Sequence, residues 1–148
     1  MAAEQNIIPI GSDHGGYALK KYIIEKLSKE DFQFKDYGTN SEESVDYPDF
    51  IHPVAKAVDS GKFEKGIVIC GSGQGASMTA NKYPNVRSAL LWDLEQTQLT
   101  RMHNDANIIA LAGRFIDFDL AIDMIKVFLN TKFEGGRHQN RIEKIPLQ

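Results

Sequence analysis

The chain has 148 residues, 42% hydrophobic and 25% charged, with a net charge of −3, which suits one domain over 1–148 built on one good core. Lys and Arg are scattered, which excludes a general nucleic-acid footprint. No run approaches the ~20 apolar residues of a membrane span, the start "MAAEQN" lacks a charged-then-apolar export signal, and the lone Cys70 excludes an internal disulfide, so a cytoplasmic location is expected.

In chain order, "IIPIGS" (7–12) reads as a strand and runs into the polar "SDHGG" (12–16). A helical pattern follows through Leu19, Ile23, Ile24 and Leu27, then a second strand, "FQFKDYG" (32–38), ending in "DYGTN" (36–40). Ile51, Val54, Ala55 and Val58 mark the next helix, and "GIVIC" (66–70) a third strand that opens into "CGSGQGAS" (70–77). "RSALLW" (87–92) and "NIIALAG" (107–113) are the fourth and fifth strands, the last followed by "GR" (113–114). Phe118, Ala121, Ile122, Ile125, Phe128 and Leu129 then keep a helical period closely. Three strands are nearly continuous apolar, as buried parallel strands are. The expected class is therefore α/β: a five-stranded parallel sheet with helices on both faces and right-handed crossovers. Ligands bind beyond the carboxyl ends of such strands, where these polar segments fall.

Gly71, Gly73 and Gly75 let the chain turn sharply from strand to helix with amides aimed at a ligand, an anion cradle. The spacing is not that of a P-loop, whose Lys-Ser/Thr is missing. It also departs from the dinucleotide fingerprint, whose third glycine lies one residue later, although Asp93 ends the next strand at a distance that would suit a ribose contact. A tight turn serving packing alone is the plain alternative. Cys70 adds weight to chemistry: most lone cysteines are small buried hydrophobes, but one at a strand mouth beside a helix start sees the positive end of the dipole, which favours the thiolate. A base beside an anion cradle suits proton abstraction next to a carbonyl, whose enediolate backbone amides can hold.

Asp13 and His14 follow the first strand, and His103 and Asn104 precede the fifth. Arg114, Arg137, His138 and Arg141 supply positive charge late in the chain. Singly, each reads as a structural histidine or a solvated arginine. Arg137 and Arg141 in "GGRHQNR" would share one helical face, however, and could clamp a phosphate, from a tail long enough to reach another subunit. Phosphate at one end and acid–base groups at the other describe a sugar-phosphate site.

Six blocks, "GSDHGGYALK", "DYGT", "SVDYPDF", "GIVICGSGQGASMTANK", "RMHNDANIIALAGR" and "EGGRHQNR", run in order over nearly the whole chain. Together they resemble the ribose 5-phosphate isomerase B family, which also holds galactose 6-phosphate isomerase subunits. The resemblance implies a Rossmann-like three-layer α/β/α sandwich, a homodimer or dimer of dimers with sites at the subunit interface, and neither metal nor nucleotide cofactor. It implies interconversion of D-ribose 5-phosphate and D-ribulose 5-phosphate through a cis-enediolate, in the non-oxidative pentose phosphate route. By matching motif, Cys70 would be the base, with Gly71, Ser72, Gly73, Gly75 and Ser77 lining the anion hole and the Ser72 hydroxyl helping protons move between O1 and O2. His103 would open the furanose ring, Asp13 and Asn104 would bind sugar hydroxyls with Tyr47 nearby, and His14, Arg114, Arg137 and Arg141 would hold the phosphate. A second branch of the family uses a Glu where this chain has Ala76, which places the chain in the cysteine branch; Ser72 stands where some relatives have Thr. A hexose 6-phosphate isomerase of the same family, or a nucleotide-binding regulatory module, are the alternatives.

Overall fold

The computed structural model describes residues 7–147; the N-terminal segment read above for an export signal lies outside them. Five strands, β1 (Ile7–Ser12), β2 (Gln33–Asp36), β3 (Gly66–Cys70), β4 (Ser88–Leu90) and β5 (Ile108–Ala112), form one parallel sheet in the order β2-β1-β3-β5-β4. All five expected strands are present, trimmed by up to two residues at an end because pairing stops where the loops turn away. The helices are α1 (Tyr17–Leu27), α2 (Tyr47–Asp59), α3 (Gln74–Ala80), α4 (Leu94–Asn104), α5 (Phe118–Asn130) and α6 (Arg137–Ile142).

The period of two along the central strands builds two cores. Ile67 and Ile69 of β3 and Ile109 and Leu111 of β5 face one side, packed with Leu19 and Ile23 of α1 and Met124, Ile125 and Phe128 of α5. Val68, Cys70, Ile108 and Ala110 face the other, packed with Ile51, Val54 and Val58 of α2 and Ala76 and Ala80 of α3. This is the expected α/β/α sandwich. No helix of the described residues is long and apolar enough to cross a membrane.

Connections from β1 run toward β2, whereas those from β3 run the other way past β5 to β4. The β1–β3 boundary is therefore a topological switch point, where loops diverge and leave a crevice at the carboxyl edge. Register fixes what lines it. Ser12 pairs with Ile69 and Cys70 with Ala112, so the ends of β1, β3 and β5 lie side by side.

Candidate active site

β3 ends in Cys70, only 4% exposed, with its side chain on the α2/α3 face. The following loop must turn at once into α3, and Gly73 does so at φ +76, a left-handed conformation where a Cβ would also lie 2.5 Å from Leu90 Cδ1. Within the loop, the Gln74 amide donates to Ser72 Oγ at 3.2 Å and the Ser77 amide to the Gly73 carbonyl at 3.0 Å. The amides of Gly71, Ser72, Gly73, Gly75 and Ala76 donate to no acceptor among the described residues. Gly75 and Ala76 lie in the first turn of α3, where a helix leaves its amides unpaired, and with the turn amides of Gly71, Ser72 and Gly73 they give a run of free donors beside the thiol, suited to an anion.

The neighbouring loops wrap this cradle. Gly113 and Arg114 donate from their amides to the carbonyls of Cys70 (2.9 Å) and Gly71 (3.0 Å), which pins the β5–α5 loop to the β3–α3 loop. The Arg114 side chain lies against the glycines: a Cβ on Gly71 would be 3.4 Å from its Nη1, and one on Gly15 3.3 Å from its Cζ. Asp13 is buried, with Oδ1 accepting from the Gly16 amide at 3.1 Å. His14 Nδ1 accepts from the Val45 amide at 3.1 Å, which assigns a neutral ring its proton on Nε2. Tyr47, the first residue of α2, lays its ring over Gly75, where a Cβ would fall 2.4 Å from the phenol Cζ. Ser77 follows the loop on α3, and its hydroxyl pairs with Ser88 Oγ of β4 at 3.0 Å.

The structure thus brings Asp13, His14, Tyr47, Cys70, Gly71, Ser72, Gly73, Gly75 and Arg114 together. It does not bring His103, Asn104, Arg137 and Arg141 to them within one chain. α4 leaves the carboxyl edge after β4 and runs back, so its last turn lies near the start of β5, at the amino edge. A five-residue strand separates those edges by about 16 Å. Asp105, left-handed at φ 47, caps α4, and its carboxylate accepts from Arg101 Nη1 at 2.8 Å. Arg101 also donates to the carbonyls of Ala106 (2.7 Å) and Thr131 (3.1 Å), which holds the last turn of α4 against the segment leading to α6.

In this second cluster the rings of His103 and His138 stack at 4.5 Å, and Glu134 Oε1 lies 3.9 Å and 3.4 Å from their respective Nε2 atoms. The Asn104 carbonyl oxygen Oδ1 accepts from Thr100 Oγ1 at 3.2 Å. Arg114, Arg137 and Arg141 are exposed and make no ion pair among the described residues. Glu134 and Ser88 are site neighbours that the sequence reading missed; the four-residue spacing of Glu134 and His138 was the available signal for the first. Asp93, weighed above as a ribose contact, caps α4 by accepting from the Gln96 amide at 2.7 Å, and β5 separates its strand from β3.

Comparison with known proteins agrees with this architecture. The family model described as Ribose/Galactose Isomerase matches residues 8–145. Ribose-5-phosphate isomerase B of Escherichia coli is 40% identical over 138 residues, 93% of either chain. The structure of Clostridium thermocellum ribose-5-phosphate isomerase B superposes with a TM-score of 0.91 at 50% identity, covering 94% of each chain. That of the Mycoplasma genitalium enzyme, solved with bound ribulose-5-phosphate, gives 0.88 at 42% identity over 94% of this chain and 93% of that one. With a doubly wound sheet, a glycine cradle at its switch point and likeness over nearly its whole length, the chain belongs to the ribose/galactose isomerase family.

Proposed function

We propose that this isomerase interconverts D-ribose 5-phosphate and D-ribulose 5-phosphate, with Cys70 as the base that carries a proton between C2 and C1. The observation that carries the reading is the set of five unclaimed amides next to Cys70, which suits the charge that builds on O1 and O2 as the cis-enediolate forms. A proton on a sugar carbon is weakly acidic, so base and oxyanion donors are needed together. Ser72, exposed at the cradle's rim, is suited to move a proton between O1 and O2, and Asp13 with Asn104 to hold sugar hydroxyls. His14 and Arg114 at one edge, with Arg137 and Arg141, would neutralise the phosphate. Gly71, Gly73, Gly75 and Tyr47 shape the cradle, and Ser77 supports it through Ser88.

Ring opening belongs to His103 in this reading. Ribose 5-phosphate is mostly a furanose closed through O4, whereas ribulose 5-phosphate has its O5 esterified and stays open-chain, so only the aldose needs that step. His103 and the arginines of α6 lie at the edge opposite Cys70, so the complete site takes a second copy of the chain, in a symmetric homodimer or a dimer of dimers, with the C-terminal segment of one copy reaching the cradle of the other. The whole chain acts as a single domain. A base that must stay a free thiol suits the reducing cytoplasm.

The test is turnover of ribose 5-phosphate, with allose 6-phosphate and galactose 6-phosphate in parallel, by the wild type and Cys70→Ala. Pentose turnover that falls by at least ~10³-fold in the variant is the expected result. Turnover of hexose phosphates alone would move the substrate, and an active Cys70→Ala enzyme would remove the base.

A further inference from the structure

The chain's two most closely packed histidines share one carboxylate, and their arrangement has a use that proton transfer does not require. His103 ends α4, Glu134 lies in the segment before α6, and His138 is on α6 itself. Each is held by backbone: the Glu134 amide donates to the Met102 carbonyl at 3.1 Å, and the His138 amide to the Gly135 carbonyl at 3.2 Å. Gly135 and Gly136 both take positive φ, 72° and 61°, which turns the chain so that Glu134 and His138 face the same way. Arg101 and Asp105 fix the end of α4 from behind. One donor atom from each of the three residues then converges, all within 4.8 Å of one another.

We propose that His103, Glu134 and His138 form a site for a divalent transition metal of the zinc type, and that metal bound there slows turnover of ribose 5-phosphate. Two imidazole nitrogens and one carboxylate oxygen are a common zinc donor set, and three protein ligands leave a fourth position open for water. Zn–N and Zn–O bonds of 2.0–2.2 Å on tetrahedral angles set donors about 3.3 Å apart. His138 Nε2 and Glu134 Oε1 are already 3.4 Å apart, and His103 Nε2 is 3.9 Å from the same oxygen. The three donors lie within 4.8 Å of one another and the two rings are stacked 16° from parallel, so closing the site needs a tilt of the His103 ring that brings both nitrogens to one point. The His103 side chain is 41% exposed within one chain, against 11% for His138, so His103 is the ligand with space beside it for that tilt. Calcium and magnesium are poor fits, since they ask for six or more oxygen ligands or retained waters.

The metal would take the Nε2 lone pair of His103, so that nitrogen can no longer accept a proton from a sugar oxygen and the ring is held on the metal. Binding rests on this geometry alone, while the effect on turnover rests on the ring-opening role proposed for His103.

The experiment uses the full-length protein and Co2+ as a visible zinc substitute, in a Cys70→Ser background so that the thiolate cannot be the ligand. The expected result is one Co2+ per chain with the intense visible bands of a tetrahedral site, displaced by Zn2+. Glu134→Gln and His138→Gln, each made separately, should weaken binding by at least the roughly 10–100-fold seen when even an outer-shell partner of a metal is lost. With Cys70 restored, Zn2+ should slow ribose 5-phosphate turnover reversibly to chelator, and His138→Gln should need at least roughly 10-fold more Zn2+ for the same slowing. A Co2+ spectrum unchanged by both substitutions would overturn the site. Binding as expected with turnover untouched at saturating Zn2+ would leave the site standing and overturn the ring-opening role of His103.

Discussion

Replacing Gly75 by Ala separates the cradle's shape from its stability. The added Cβ would stand 2.4 Å from Cζ, 2.5 Å from Cε1 and 2.8 Å from the hydroxyl oxygen of Tyr47. Carbon contacts settle near 3.5–4.0 Å, so the ring must retreat by about 1–1.5 Å. Nothing on the backbone resists the change: Gly75 is in the first turn of α3 with no positive φ, and Ala there gains about 1 kcal/mol of helix propensity. Against that stands the ring's lost packing. Tyr47 is 38% exposed at the start of α2 and can swing toward water, giving up only part of its buried area, on the order of 1–2 kcal/mol. The two effects nearly cancel, and the expected change in stability is within about 1 kcal/mol, or roughly 2–4 °C in Tm. Activity should not be spared, because the ring that walls the cradle has moved; a fall of about tenfold in kcat/KM, near 1.4 kcal/mol, is expected. Thermal melts and initial rates on ribose 5-phosphate read both quantities, in the wild-type and the Tyr47→Ala backgrounds. In Tyr47→Ala the obstacle is gone, and Gly75→Ala should cost no further activity. An equal loss in both backgrounds would refute the reasoning and place the effect in the loop backbone.

Two further substitutions probe the amino edge. Arg101→Ala removes the partner of two carbonyls and of Asp105, and should cost about 3 kcal/mol, a drop of roughly 6–12 °C in Tm; a loss under about 1 kcal/mol would show that these bonds do not hold the end of α4. Lys65, half-buried just before β3, has its ammonium held below the usual lysine range, first by burial and then by the charge of Arg101. With the folded value below the unfolded one, the unfolded chain binds more protons between them, and stability rises with pH through that window. Lys65→Met should therefore raise Tm at pH 7, with a gain that shrinks as pH climbs toward the lysine range; a gain independent of pH would contradict the assigned cause.

The sheet was readable because its central strands are buried on both faces: Ile67 to Ile69 and Ile108 to Leu111 leave no polar position to blur the pattern. α1, α2 and α5 were readable from apolar stripes. α4 was not, because its inward positions are Thr97 and Arg101, a hydroxyl bonded to the Asp93 carbonyl and a guanidinium bonded to Thr131 and Ala106. Such a helix is built on hydrogen bonds and shows no hydrophobic period. The cradle was legible as Gly71, Gly73 and Gly75 after Cys70, since local backbone chemistry needs only neighbours in sequence. The distance from Cys70 to His103 was not, because it follows from strand order: only with β5 placed between β3 and β4 does the return path of α4 become fixed. The Ser88 partner of Ser77 was not legible for the same reason, as it comes from a strand reached through the sheet.

That strand order has one more consequence. In a doubly wound sheet, a helix that leaves the carboxyl edge must end at the amino edge, and α4 covers the distance in 11 residues, about 16 Å. A residue on its last turn can serve a crevice at the carboxyl edge only from another chain. In a symmetric dimer each crevice then combines Cys70 of one copy with His103 of the other, and the two single variants Cys70→Ala and His103→Asn fail for different halves of the site. Unfolded together in equal amounts and refolded, they should pair statistically. Half of the dimers are mixed, and each mixed dimer has one crevice in which both residues are intact and one in which neither is. About a quarter of all sites recover, so ribose 5-phosphate turnover should return to about a quarter of the wild-type value from two preparations that are each nearly inactive. The His103→Asn background must be read at high enzyme concentration, where any residual rate is set by spontaneous ring opening and stops rising with added enzyme. If every site were built within one chain, each mixed dimer would carry one defect per site and no activity would return; that outcome would refute the shared site.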